Sequence, residues 1–444
     1  MSNAAAPSPP GGSGDRWLIG YLLYEFVCQL LLLVPALGSL RVVWRSAAFM
    51  GSLALLVMLP GKALKVHPAR TSLLIVVILI AIGALNPSGG GILAAVAHGA
   101  LYVAILGPVF WVARLRLDTR SFERLLLVFW AYYTLSAIFG LLQVYFPGRF
   151  QPPLAGVVAE RGPAYLDSMM IQLSSGQWVL RPMGLTDAPG GAASGGFYAA
   201  LFGLGLFQAR PRFFGARVLL LASMVIGVMV LYITQVRSLV VALGISTTVL
   251  VILLAASGRV PRLVAVTGVS AAIITIAYAL AVDVAGTTVS NRLATLAATS
   301  PGNVYYTNRG IFLEHTFTEL LPQFPLGGGL GRWGVMNAYF GSVASTIWVE
   351  IQWTAWLIDG GVLLILAYLA ALILTIRLAV VLSLSRSGDE ATAAAPLMAA
   401  YGVGVLALTF NAVPFMGTGG VEFWLLNAAF YQTLATSSPS RITA

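Results

Sequence analysis

Charge is what this chain has least of. Asp, Glu, Lys and Arg together make up 9% of its 444 residues, against about 25% in soluble domains. That deficit excludes an ordinary water-soluble fold. Cysteine is scarcer still: Cys28 stands alone, so an intrachain disulfide and a cysteine-rich metal site are both excluded. It lies inside the first apolar block and reads as a small buried residue. There are three histidines, His67, His98 and His315, and no HExxH, CxxC or clustered-Asp pattern. The sequence therefore points to no catalytic metal and no cofactor. Short alternating segments of the kind a membrane barrel needs are missing too, which leaves helices as the spanning element.

What is present is hydrocarbon. Hydrophobic residues account for 59% of the chain. Apolar blocks long enough to cross a bilayer, roughly 20 residues each, fall near 17–37, 44–60, 71–86, 91–113, 125–146, 189–209, 217–236, 239–257, 263–282, 361–383, 391–411 and 420–436. The expectation is an all-α polytopic membrane protein with about twelve transmembrane helices, forming a single integral membrane domain over residues 1–444. The Pro/Gly/Ser-rich start, residues 1–16, reads as a disordered cytoplasmic tail rather than a cleaved signal peptide.

A net charge of +10 raises the question of nucleic acid. The basic residues, however, are dispersed in short connections between apolar blocks, and topology accounts for them better. With a cytoplasmic amino terminus, the inside connections hold Arg16, Lys62, Lys65, Arg70, Arg114, Arg116, Arg120, Arg124, Arg210, Arg212, Arg217, Arg259, Arg262, Arg377, Arg386 and Arg441. Only Arg41, Arg45 and Arg237 then sit in short outside connections. Both termini are expected inside. The loops 147–188 and 283–360 are expected outside, the second long and helical and carrying the active site.

That second loop concentrates Arg292, Arg309, Glu314, His315, Glu319, Arg332, Glu350 and Asp359 with a glycine run, LGGGLG, at 326–331. The run follows no strand and lacks the lysine of a phosphate loop, so it reads as a turn permitting close backbone approach. Residues 345–359, STIWVEIQWTAWLID, are too short for a comfortable span. A helix in the outer interface suits their three tryptophans, and helical spacing would put Glu350 and Thr354 on one face. His315 and Glu319 stand one turn apart on a predicted helix beginning at Arg309 and ended by Pro322.

Arg237, in ITQVRSLVVAL, has apolar residues on both sides. A guanidinium so placed is costly unless it is paired or faces an aqueous cavity. Arg181, in VLRPMGLTDAPGGAASG, precedes a turn-rich lead into a span, where Asp187 is placed to cap the helix. Two arginines on the outer side can hold both phosphates of a pyrophosphate by forked hydrogen bonds. His98 reads as a buried, hydrogen-bonded residue. Glu25, inside the first span, is either a helix–helix contact or a cavity residue.

Twelve apolar spans, RPMGLTDAPG leading into a span, TQVRS at the outer end of a later one and NRG...PLGGGLG in a long outer loop together resemble the O-antigen ligase and O-antigen polymerase superfamily. The similarity covers roughly 180–375. It implies a GT-C-like fold in the bacterial inner membrane, with the active site on the periplasmic side. The implied chemistry moves a glycan from undecaprenyl pyrophosphate to an acceptor hydroxyl, without a metal and with inversion. Arg181, Arg237 and Arg309 would bind the pyrophosphate, with His315 and Glu319 as supporting groups. Ligases of this kind carry a His-Asn pair eleven residues before a glycine, where this chain has Glu350 and Ile351 ahead of Gly361. Glu350 is accordingly the expected base, with the His315/Glu319 pair as the alternative, and the loss of that histidine favours a polymerase, whose acceptor is another lipid-linked repeat unit. The alternatives are a ligase acting on lipid A-core and, from another class, a polytopic transporter or flippase. Expected partners are the undecaprenyl-pyrophosphate-linked glycan, membrane lipid and a chain-length-regulating co-polymerase, with no nucleic acid.

Overall fold

A computed structural model of the protein describes residues 12–154, 158, 162–209, 213–294, 300–341, 346–385 and 392–437. Arg210, Arg212, Arg386 and Arg441, used above for topology, lie outside the described residues, as do residues 1–11 of the expected tail.

Each of the twelve apolar blocks corresponds to a helix. In chain order they are α1 (Gly12–Leu31), α2 (Arg41–Met58), α3 (Arg70–Ala84), α4 (Ile92–Trp111), α5 (Thr119–Tyr145), α6 (Ala192–Gln208), α7 (Phe214–Thr234), α8 (Arg237–Ala256) and α9 (Val260–Ala285). After the long loop, whose helical stretch 301–323 is α10, come α11 (Gln352–Leu384), α12 (Ala395–Leu408) and α13 (Thr418–Ser437). Among the described residues, seven helical segments are long and apolar enough to cross a membrane, including α4, α5, α7, α8, α9 and α11; α3 and α12 are shorter apolar helices. The outward surface of α9 is hydrocarbon, with Val264, Ile274 and Ile276 at least 48% exposed. Such a surface belongs in a bilayer, where every backbone group of the helix is already satisfied.

The tail is shorter than expected, because residues 12–16 are the start of α1. Asp15 lies in the first turn, where a carboxylate complements the helix dipole, and it pairs with Arg124 at 2.5 Å.

Small residues set the packing. Helix α6 lies against both α5 and α7. A Cβ on Gly196 would fall 2.4 Å from the Gly227 carbonyl oxygen, and one on Gly227 would fall 2.6 Å from that of Gly196. Those backbones touch, as small residues at membrane helix interfaces permit. On the other side, α11 packs on α3 and α12, and α13 packs on α4. An aromatic core fills the space between α11 and α13: Trp356 stacks on Tyr368 at 4.7 Å, and Tyr368 accepts a 3.0 Å hydrogen bond from Trp424.

The helix expected over 345–359 starts later, at Gln352, and runs into the next span through a break at Gly360 and Gly361. Glu350 therefore precedes the helix in extended chain and does not share a helical face with Thr354. Trp356 is fully buried; of the three tryptophans only Trp348, 58% exposed, suits a headgroup position.

The glycine run explains the break. Gly327, Gly329 and Gly331 have φ of 100°, 91° and 76°, values that β-carbon sterics disfavour for other residues. They thread the run between α3, α4 and the broken helix. Gly328 N–H donates to the Ile358 carbonyl at 2.7 Å, and Val362 N–H donates to the Pro325 carbonyl at 3.0 Å. The groups orphaned by the break are thus satisfied by the loop. Close approach and flexibility were both expected of this run; the approach is there, but backbone hydrogen bonds to the broken helix pin the run instead of leaving it a flexible turn.

Candidate functional site

Three arginines from three distant stretches line one cavity of about 530 Å³, together with Gln235, Ser238, Tyr305, Asn308 and Asn411. They are Arg181, Arg237 and Arg309.

Each is aimed by a local device. Arg181 follows a two-stranded hairpin, Met170–Gln172 paired antiparallel with Trp178–Leu180. Its backbone N–H donates to the Met169 carbonyl at 2.9 Å, and its Nη2 to the Ser168 carbonyl at 3.4 Å. Arg237 is the first residue of α8, and the turn before it contains Gln235 at φ 57°, the one left-handed non-glycine among the described residues. Holding such a residue costs on the order of 1 kcal/mol. The strain brings α7 back into α8 within two residues and sets the Arg237 guanidinium beside the Asn308 carboxamide, whose Oδ1 accepts from Nη2 at 2.8 Å.

A cation at a helix N-terminus opposes the dipole, and an anion bound there would relieve it. The same helix end contributes Gln235, Val236 and Ser238 to the wall, and no side chain caps it.

Arg309 lies in a wide helical turn, Tyr306–Gly310. Its Nη1 contacts Glu350 Oε2 at 2.5 Å, and its guanidinium sits 5.9 Å from the Phe312 ring. Glu350 is not among the lining residues; it meets the cavity through Arg309. Tyr305 anchors the wall by donating to the Phe410 carbonyl at 3.3 Å, and burial pushes its phenol above the ordinary range.

His315 and Glu319 do form the expected pair, at 3.1 Å, but their side chains are 45% and 66% exposed. They do not line the arginine cavity. Asp187 does not cap α6, whose N-cap is Gly191 without a side-chain bond; it holds Arg45 at 2.5 Å instead.

One polar centre escaped the sequence reading. Asp359, fully buried at the helix break, accepts from Tyr102 Oη at 2.7 Å and from Trp333 Nε1 at 2.8 Å, with His98 Nε2 3.3 Å from Oδ2. His98 is buried as expected, but the hydrogen bond expected of it is not formed: among the described residues neither ring nitrogen has a hydrogen-bond partner, and Asp359 is its nearest polar contact. An Asp immediately before Gly-Gly was the available signal. Glu25, on α1, and Glu422, on α13, are also fully buried. Glu422 in turn accepts from Tyr133.

Three guanidiniums line the cavity, and among the described residues the carboxylate set against them is Glu350, on Arg309. At about 4 Å and an effective dielectric near 20, each opposite-charge contact is worth about 4 kcal/mol. A compact, multiply charged anion is the ligand this arrangement favours. Among the described residues no group of His, Cys, Asp and Glu is arranged to hold a metal ion. The architecture and this site define a helical membrane protein with a cavity lined by three arginines. No family model and no curated protein sequence matches the chain.

Proposed function

We propose that this protein is a membrane glycosyltransferase of the bacterial inner membrane, a polysaccharide polymerase. It moves a glycan from undecaprenyl pyrophosphate to a sugar hydroxyl of another lipid-linked repeat unit. The observation that carries this reading is the convergence of Arg181, Arg237 and Arg309 on one cavity, with Glu350 ion-paired to the third.

In this reading the chain crosses the membrane twelve times in a GT-C-like arrangement, with both termini in the cytoplasm and the cavity facing the periplasm. Arg181 and Arg237 fork onto the diphosphate. Their charge neutralises what builds on the leaving group as the glycosidic C–O bond breaks, which is electrostatic stabilisation of the transition state. The acceptor oxygen attacks the anomeric carbon from the opposite face, and its proton passes to Glu350. Oε2 of Glu350 is held by Arg309, so Arg309 both orients the base and adds charge to the diphosphate side. One displacement inverts the anomeric centre, and undecaprenyl pyrophosphate departs with the electron pair.

Glutamate in the place where ligases carry histidine supports the polymerase over the ligase. The test is to incubate purified protein in liposomes with an undecaprenyl-pyrophosphate-linked glycan. A ladder of longer lipid-linked products is expected. Product formed only when lipid A-core is added would make the protein a ligase. Uptake into sealed vesicles with no glycan product would make it a carrier.

A further inference from the structure

A second cavity, of about 290 Å³, lies deeper along α8, between α7 and α9. Tyr232, Val240, Leu243, Gly244, Thr248 and Ile273 are among its lining residues. It carries no ionisable side chain other than the Tyr232 phenol. Four residues of α8 connect it to the arginine cavity. Arg237, Val241, Gly244 and Thr248 recur at intervals of four, three and four, so they form one stripe on one face of the helix. The first two line the arginine cavity and the last two line the apolar one. Val241 is 43% exposed, and Gly244 and Thr248 are exposed as well. A row of uncovered positions on a membrane helix therefore runs from a cationic head site into a hydrocarbon-lined slot. At about 1.5 Å per residue, Arg237 to Thr248 spans roughly 16 Å.

We infer that this slot holds the first part of the polyprenyl chain of the lipid-linked donor, entering from the arginine cavity. The inference rests on the pyrophosphate reading of that cavity. Its occupant is identified by two features: an anionic head must sit among the arginines, and whatever follows the head along the stripe meets only apolar and hydroxyl side chains. A phospholipid acyl chain entering from the bilayer would have no reason to depend on the head site.

Gly244 supplies the test. A Cβ built there meets nothing within 4 Å, so a larger side chain projects into the slot without displacing the fold. Gly268, on α9, is equally open and lines neither cavity, which makes it the control. Binding of undecaprenyl pyrophosphate and of geranyl pyrophosphate is measured on the purified protein in nanodiscs. Wild-type protein is expected to bind the long compound at least tenfold more tightly than the short one. Gly244→Leu is expected to abolish that difference while leaving geranyl pyrophosphate binding within twofold, and Gly268→Leu to change neither. Gly244→Leu with undiminished preference for the long chain overturns the inference, as does an equal loss for both compounds. Wild-type protein that binds neither compound overturns the pyrophosphate reading and this inference with it, whereas tight binding of both without discrimination overturns the inference alone.

Discussion

The rim cavity and the closed centre around Asp359 use charged groups in opposite ways. At the rim, Arg181, Arg237 and Arg309 face a common space of about 530 Å³, with Glu350 on the third. Around Asp359, which is fully buried, both carboxylate oxygens are engaged, by Tyr102 and Trp333 with His98 beside them. Cations around an open space suit a ligand, whereas a buried carboxylate accepting from two neighbouring side chains holds the fold. The difference teaches where each kind of substitution should act: at the rim on transfer, at the closed centres on stability.

The largest effect is expected at Glu350. Glu350→Gln keeps the shape and removes the proton acceptor, and transfer from a lipid-linked donor should fall about 10²- to 10⁴-fold with the melting temperature unchanged. Full activity in that variant would remove Glu350 from the chemistry. Asp359→Ala should do the reverse. Leaving Tyr102 and Trp333 without their acceptor costs on the order of 3 kcal/mol, visible as an earlier unfolding transition in detergent, while pyrophosphate affinity of the folded fraction stays within about twofold. An unchanged transition with lost affinity would place Asp359 in the binding machinery and erase the contrast.

His67 sharpens the comparison from the buried side, in the connection between α2 and α3. Burial lowers its pKa to about 3, and its Nδ1 accepts from the Ala69 N–H at 3.2 Å. Its folded value lies below the unfolded one, so the unfolded chain binds the extra proton. The stability it contributes is intact above about pH 6.5 and is lost as the pH falls toward 3, by about 1.4 kcal/mol per pH unit. His67→Gln should flatten that acid limb of the stability profile; a profile identical to wild type would show that His67 is protonated in the fold. The smallest effect is expected at the exposed pair. His315→Ala and Glu319→Ala should each alter stability by less than about 0.5 kcal/mol and leave transfer within twofold, and a large loss of transfer would return them to the site.

The sequence made the helices legible because hydropathy is a strong and repeated signal: each apolar block is a helix. It also made the arginines legible, since a guanidinium such as Arg237 among valines and leucines has few explanations. What it could not show were the long-range pairings. Nothing near Asp359 in sequence names Tyr102, which lies 257 residues away. The onset of α11 was misplaced because STIWVEIQWTAWLID has apolar spacing compatible with helix throughout, while the chain up to Ile351 is held extended; Ile347 N–H donates to the Arg332 carbonyl at 3.1 Å. Asp187 was read as a cap from its position alone, and the distant Arg45 claimed it instead.

Convergence of three guanidiniums on a diphosphate is tested most directly by single-turnover transfer rates for four variants, Arg181→Gln, Arg237→Gln, Arg309→Gln and Arg332→Gln. Arg332 belongs to the same polar stretch, but its guanidinium packs on Phe324 at 5.2 Å and does not line the cavity. The first three rates should fall about 10²- to 10³-fold each, and the fourth should stay within about fivefold of wild type. Four equal losses, or undiminished rates in the three cavity variants, would contradict the account.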